Sequence, residues 1–329
     1  MATVLVFAET RDGEIRSVSR EVVSAARNVA DALGGADVDV LALGPVGTAA
    51  TAGDLAAAGA DRVLVAEHEA FGLYSPDAAV RAVVEACASG SCAAVLFPAT
   101  VQGKDLSARC AARLDRPLAT DVTELEVEDG ALVVRRPVYA GKAYMRLRML
   151  ESPALVSLRP NVFPVRDTPG RGAVETLALD PGTARTRVVG FERAERQQLD
   201  VAEASTVVTG GRGMQGPEHW KLLEDLVDAL GPGATLGASR AVVDAGWRNH
   251  DEQVGQTGKV VSPGLYFAIG ISGAIQHIAG MRTANVIVAV NRDAEAPIFN
   301  IANYGLIGDI FEVLPRLTEE IRAARSSST

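Results

Sequence analysis

Residues 254–277, VGQTGKVVSPGLYFAIGISGAIQH, interleave five glycines with the uncharged hydrogen-bonding groups Gln256, Thr257, Ser272 and Gln276, and end on His277, one of four histidines in the chain. Glycine lets a backbone come close to a bulky ligand, and amides and hydroxyls then fix its orientation. Two shorter fragments have the same character. GGRG at 210–213 and GASR at 237–240 each follow an apolar, β-branched run. Nothing in these segments has the pattern of a nucleophile with its base. No second His, Cys or acid stands at metal-ligand spacing from His277. The chemistry this cluster suits is the holding of a cofactor.

Each motif also has a plainer reading. Gly211-Arg212-Gly213-Met214-Gln215-Gly216 matches G-x-G-x-x-G between a strand and a helix, a dinucleotide fingerprint. The acidic residue expected ~20 positions later to hold a ribose is replaced by Ser239-Arg240. An arginine there would accept a 2′-phosphate, so an NADP-dependent reductase stands beside a glycine-rich turn with a solvated arginine. Ser272 reads as the N-cap of a helix starting at Gly273. A capping box would place Glu or Gln at position 275, which is Ile, so capping leaves Gln276 unexplained. His277 is either a satisfied core histidine or a ligand group. Arg240 is a surface charge or an anion contact, and Asp309 is a cap for the last helix or a ligand contact. Position joins them. All fall where strands of one α/β domain end, the crevice in which open sheets of this kind bind ligands.

The elements that would carry these residues are legible as alternating strands and helices. Strands are expected at 3–8, 38–43, 62–66 and 93–98, with helices at 18–33, 48–58 and 76–89 between them. Uninterrupted apolar strands alternating with helices imply a parallel sheet covered on both faces. Beyond Leu118 the texture changes, and strands at 123–127, 131–138 and 154–158 suggest antiparallel additions. Residues 180–200 are charge-rich with little apolar periodicity and read as a linker. A second series comes next, with strands at 206–209, 235–236, 265–269, 286–290 and 298–301 and helices at 217–230, from 273, and from 309. In the last helix Ile310, Val313, Leu314, Leu317 and Ile321 share one face, and Pro315 is expected to kink it.

The chain of 329 residues is 48% hydrophobic and 22% charged, enough for two cores. A net charge of −9 argues against a nucleic-acid partner. Cys87, Cys92 and Cys110 match neither a disulfide framework nor a zinc spacing and read as free thiols in a reducing compartment. No apolar run is long enough to span a membrane. The first residues enter a strand directly, which leads us to expect a cytoplasmic protein with no transit peptide.

The segments GGRG (210–213), GASRAVVDAGW (237–247), QVGQTGKVVSPGLYFAIGISGAIQHIAGM (253–281), NRDAEAPIF (291–299) and NYGLIGDIFEVLP (303–315) closely resemble the alpha subunit of electron transfer flavoprotein. The opening TVLVFAE and GADRVLVAE at 59–67 are similar to that family's N-terminal domain. The resemblance implies two α/β domains. An N-terminal one at 1–190 has a nucleotide-hydrolase-like fold, and a Rossmann-like FAD-binding one spans 201–329. It implies one FAD per heterodimer with a beta subunit, and AMP or a second flavin in that subunit. It also implies electrons taken from dehydrogenases, such as those acting on acyl-CoA, and passed to a quinone oxidoreductase, with no substrate turnover by the chain itself.

Carried over by motif, Arg212, Ser239, Arg240, Val254, Gly255, Gln256 and Thr257 are FAD-contacting positions. So are Ser272, Gly273, Ala274, Ile275, Gln276, His277, Asn291, Asp309 and Ile310. Among them Arg240, Thr257 and His277 are expected to tune the flavin, with His277 able to donate a hydrogen bond and to titrate. Gly308 stands where the family usually has Ala. The N-terminal domain has Glu9-Thr-Arg-Asp-Gly-Glu14 in place of a phosphate loop, so no nucleotide is expected there. A third class, an assembly protein that keeps the fold without flavin, fits poorly with Gln256, Thr257, Ser272 and His277 all present.

Overall fold

The computed structural model describes residues 2–88, 91–139, 141–186, 188–190 and 199–326, in two compact units of residues 1–192 and 193–329. The first unit is built on a seven-stranded, wholly parallel sheet. Its strands are β1 (Ala2–Ala8), β2 (Asp37–Gly44), β3 (Arg62–Glu67), β4 (Ser91–Pro98), β5 (Leu118–Val122), β9 (Ala154–Leu158) and β10 (Ala173–Thr176), in the order β10-β3-β2-β1-β4-β9-β5. Of the expected antiparallel additions, 123–127 and 131–138 fall in a separate three-stranded sheet of β6 (Glu124–Glu128), β7 (Ala131–Val138) and the unexpected β8 (Ala143–Arg148), whereas 154–158 is β9, which pairs parallel with β4 and β5 in the large sheet.

Period-2 alternation explains the uninterrupted apolar strands. In β1, Val4, Val6 and Ala8 enter one buried cluster with helix α1 (Val18–Ala32), while Leu5 and Phe7 enter another with α2 (Pro76–Ala88) and α3 (Val101–Leu114). The local pattern does not announce α3, whose apolar face is thin. Its start is set by Thr100, whose hydroxyl accepts from the Gly103 N–H at 3.0 Å. The helix expected at 48–58 is instead a 3₁₀ turn, Thr48–Thr51, and one α-turn, Asp54–Ala57. Cys87, Cys92 and Cys110 are free thiols, with Cys92 only half-buried. Of the expected linker at 180–200, residue 187 and residues 191–198 lie outside the described residues. On its N-terminal side, Leu177 and Leu179 still pack on the first unit's core.

The second unit is a five-stranded parallel sheet in the order β12-β11-β13-β14-β15. Its members are β11 (Thr206–Gly210), β12 (Ala234–Ala238), β13 (Leu265–Ile269), β14 (Val286–Asn291) and β15 (Tyr304–Ile307). Its helices are α4 (Lys221–Leu230), α5 (Arg240–Asp244), α6 (Ile275–Met281) and α7 (Ile310–Ser326). One face of the sheet packs on α4 and α7, where Ile310, Val313, Leu314, Leu317 and Ile321 form the expected stripe. Pro315 lies within α7 without ending it. The strand expected at 298–301 is a 3₁₀ turn, Pro297–Asn300, begun by a proline that cannot donate to a ladder. Of the two edge strands, β15 is the one the pattern could not reveal, because all four of its residues are exposed. Residues 217–220 are likewise 3₁₀, so α4 begins at Lys221.

Glu21 on α1 accepts the Asn161 N–H at 2.7 Å, and burial raises its pKa to about 7, with that hydrogen bond opposing the shift. Because the folded chain holds this proton more tightly than the unfolded chain, Glu21 favours the fold below pH about 4.5. That contribution is lost as pH rises through about 7. Glu21→Gln keeps the acceptor without the charge. In urea unfolding it is expected to flatten the pH dependence over that window and to be more stable than wild type at pH 8, by up to about 3 kcal/mol. Identical pH profiles for the two proteins would refute this.

Candidate functional site

The second sheet's carboxyl edge holds a cavity of about 620 Å³, in the size range of cofactor sites. Its walls are the loops after β11, β12, β13 and β14 together with the 253–257 segment. The loops after β11 and β13 cross with almost no space between them. Gly213 N–H donates to the Gly270 carbonyl at 3.0 Å. A Cβ on Gly213 would lie 2.6 Å from Gly270 Cα, and one on Gly211 2.3 Å from the Gly270 oxygen. Gly270 itself has φ +62°. Gly211 and Gly213 are therefore explained by a backbone crossing, and Arg212–Met214 form a 3₁₀ turn there. The dinucleotide-fingerprint reading, and with it the NADP-dependent reductase, finds no support.

Three further segments close the wall. Ser239 N–H donates to the Gly210 carbonyl at 3.0 Å, and Ser239 is the extended residue before α5. Arg240 borders the cavity with 62% of its side chain exposed, paired with Asp244 at 3.3 Å. Val254 N–H donates to the Ala238 carbonyl at 2.9 Å, and Gln256 N–H to the Gln276 carbonyl at 2.8 Å. Gly255 (φ +148°) lies against Gly280, where a Cβ would come within 2.4 Å of the Gly255 backbone. Buried Gln253 orients the Thr257 hydroxyl by donating to it at 3.0 Å. Asn291 donates to the Ile271 carbonyl at 2.9 Å.

The start of α6 differs from the sequence expectation. The residue before its first turn is Ala274, with no side-chain cap, and Gly273 has φ +86°. Ser272 is thus not the helix cap; its carbonyl accepts the Ile298 N–H at 3.1 Å. Gly273 is confined by that same contact, since a Cβ there would lie 2.3 Å from the Ile298 nitrogen.

His277 is buried, and its Nε2 meets the Tyr266 hydroxyl at 2.9 Å. Nδ1 has no hydrogen-bond partner among the described residues. Burial lowers the ring's pKa to about 4, with the Val254 carbonyl opposing. His277 is therefore neutral at physiological pH, against the expectation that it titrates.

Arg212, Ser239, Arg240, Val254, Gly255, Gln256 and Thr257 thus come together on one cavity, as do Ser272, Ala274, Gln276, His277 and Asn291. Gly273, Ile275, Asp309 and Ile310 do not line it. Ile275 is largely exposed, and Ile310, the first residue of α7, is buried in the core. Asp309 caps α7, its carboxylate accepting the Phe311 N–H at 2.8 Å. Sequence reasoning did not single out Gln253, Asp244, Arg292 or Asp293, which also line the wall. Arg292 and Asp293 sit inside the NRDAEAPIF block, so the block marked them without saying which side chains reach the cavity.

The family description "Electron transfer flavoprotein domain" matches residues 4–181, and "Electron transfer flavoprotein FAD-binding domain" matches residues 200–282. The chain is 42% identical to the electron transfer flavoprotein subunit alpha of Syntrophomonas wolfei, over 98% of this chain and all of that protein. It is 40% identical to the Bacillus subtilis subunit alpha, over 97% of each chain, and 39% identical to "Protein FixB" of Clostridium saccharobutylicum, over 97% of this chain and 96% of that one.

The chain belongs to the electron transfer flavoprotein alpha-subunit family.

The match to that family's FAD-binding domain falls within the second unit, and the residues lining the cavity fit the group. Gly211, Gly213, Gly255 and Gly270 line the cavity with backbone and no side chain. Arg212, Arg240 and Arg292 border the cavity, and their positive charge suits an anionic group such as the phosphates of FAD. Nδ1 of His277, which borders the cavity, is buried with no hydrogen-bond partner among the described residues and so is open to a ligand atom. Among the described residues no helix is long and apolar enough to cross a membrane.

Gly273→Ala forces a side chain into a left-handed conformation and onto the Ile298 backbone. Strain alone costs about 1–3 kcal/mol. The expected result is a lower urea midpoint and a protein purified with little bound flavin. Wild-type flavin content in a variant of wild-type stability would contradict this geometry.

Proposed function

We propose that this chain pairs with an electron transfer flavoprotein beta subunit and holds one FAD in the cavity at the carboxyl edge of its second sheet. The heterodimer takes electrons from dehydrogenases, such as those acting on acyl-CoA, and passes them to a quinone oxidoreductase. AMP or a second flavin, where present, belongs to the beta subunit. The observation that carries the reading is the gathering of Arg240, Thr257 and His277 on one glycine-walled cavity.

FAD supplies the electron-carrying chemistry when bound, and the protein supplies binding, orientation and electrostatics. Arg240 is permanently charged and favours added negative charge on the ring system. Thr257, held by Gln253, offers a hydroxyl of fixed direction. His277 contributes a neutral ring nitrogen and no full charge. Arg212, with the backbone of Ser272, Gly273 and Ala274, serves the pyrophosphate. The walls at Ser239, Val254, Gly255, Gln256 and Gln276 exclude water. Asn291 and Asp309 serve the adenosine end. There Asp309 has one carboxylate oxygen beyond its capping bond, while Ile275 and Ile310 contribute through their backbone alone.

Co-expressed with its beta partner, the chain is expected to purify as a yellow complex with one FAD per heterodimer. Arg240→Ala should keep the flavin and lower its reduction potential by on the order of 20–30 mV in anaerobic titration. A colourless complex, or a potential equal to wild type in the variant, would count against the assignment.

A further inference from the structure

Tyr266 is the largest fully buried side chain of the second unit. It lies on β13, among Val207, Val254, Val261, Met281 and Ile298. A phenol has no reason to be there in place of phenylalanine unless its hydroxyl is used, because burying it without a partner is costly. That hydroxyl hydrogen-bonds with Nε2 of His277 at 2.9 Å, the two ring planes tilted by 57°. The other nitrogen of that imidazole is buried and unpartnered among the described residues, and the imidazole borders the cavity.

We propose that Tyr266 is a positioning residue that fixes the tautomer of His277, donating its hydroxyl proton to Nε2 so that Nδ1 carries the proton and is a hydrogen-bond donor for the flavin. This deepens the proposed function and rests on its placement of the flavin beside His277. The direction of the bond comes from acid–base chemistry. A phenol is a stronger acid than a neutral imidazole N–H, and the bare imidazole nitrogen is a stronger base than a phenol oxygen, so O–H···N is the favoured arrangement. The imidazole is neutral, as its depressed pKa of about 4 shows, so only one nitrogen bears a proton. The Val254 carbonyl opposes the shift from burial, in the sense that favours a ring N–H, but it makes no hydrogen bond to Nδ1 by distance and angle, so that nitrogen stays available. The flavin contact is thus set by a group on the buried side of the ring, on the strand beneath it.

The test uses the flavin-loaded heterodimer with ¹⁵N-labelled histidine. In wild type, long-range proton–nitrogen spectra should assign the His277 proton to Nδ1. An Nε2-protonated His277 in wild type overturns the proposal without any variant, which covers the case of a variant that fails to fold. In Tyr266→Phe the Nε2-protonated form should become populated. The reduced flavin should be disfavoured about tenfold, a drop of about 30 mV in the two-electron potential. Tyr266→Phe in a His277→Ala background should then shift the potential no further. An unchanged tautomer in Tyr266→Phe, or an equal shift in both backgrounds, overturns the proposal. If His277→Ala itself leaves the potential untouched, the flavin assignment of His277 fails, while the nitrogen spectra still decide the tautomer.

Discussion

The cavity depends on one constraint, the crossing of the loops after β11 and β13 at a distance that only glycine allows. Gly211 and Gly213 lie against Gly270 so closely that a methyl group on any of them would overlap backbone atoms. That crossing places Gly210, whose carbonyl receives Ser239. The same loop leads β12 into Arg240, and the Ala238 carbonyl receives Val254. From Val254 the chain turns through Gly255, packs on Gly280, and bonds to Gln276. The wall is therefore one connected backbone network. Its side chains stand where they do because backbone hydrogen bonds, and not side-chain packing alone, set the loops.

The site's electrostatics divide by burial. The arginines and acids at its rim are exposed, so solvent screens them. His277 is the opposite case. It is shut from water, held neutral, and tied at one nitrogen to a phenol that has no contact with solvent. Burial pushes the Tyr266 phenol well above its ordinary range, so it too stays uncharged. The wall thus places full charges where water moderates them and neutral, directed dipoles where water is absent, an arrangement suited to a group whose own charge changes in use.

Much of the fold was legible because parallel strands covered on both faces must be apolar at every position. That is why β1, β2, β4 and β13 stand out in the sequence. Elements without that requirement did not. Strand β15 is exposed throughout, and its register comes from pairing with β14, which no local pattern encodes. Ile298 and its neighbours look strand-like but are turned into a 3₁₀ segment by Pro297 and by the bond from Ile298 to Ser272. In the site, glycine density and uncharged polar residues marked the right segments. Their specific jobs were hidden, because Gly213, Gly270 and Gly273 are explained by partners tens of residues away. Ser272 looked like a cap for the same reason. Its carbonyl, not its hydroxyl, makes the structural bond, and only the tertiary contact reveals it. The partner of His277 lies on β13, 11 residues earlier, at a spacing with no local signature.

The central claim is that a flavin occupies the carboxyl edge of the second sheet of this chain. A crystal structure of the heterodimer purified with its own FAD tests it most directly. The account predicts the isoalloxazine ring inside the glycine-walled cavity, in contact with Arg240, Thr257 and His277. A flavin bound in the first unit, or held wholly by the partner chain with this cavity filled by solvent, would contradict it.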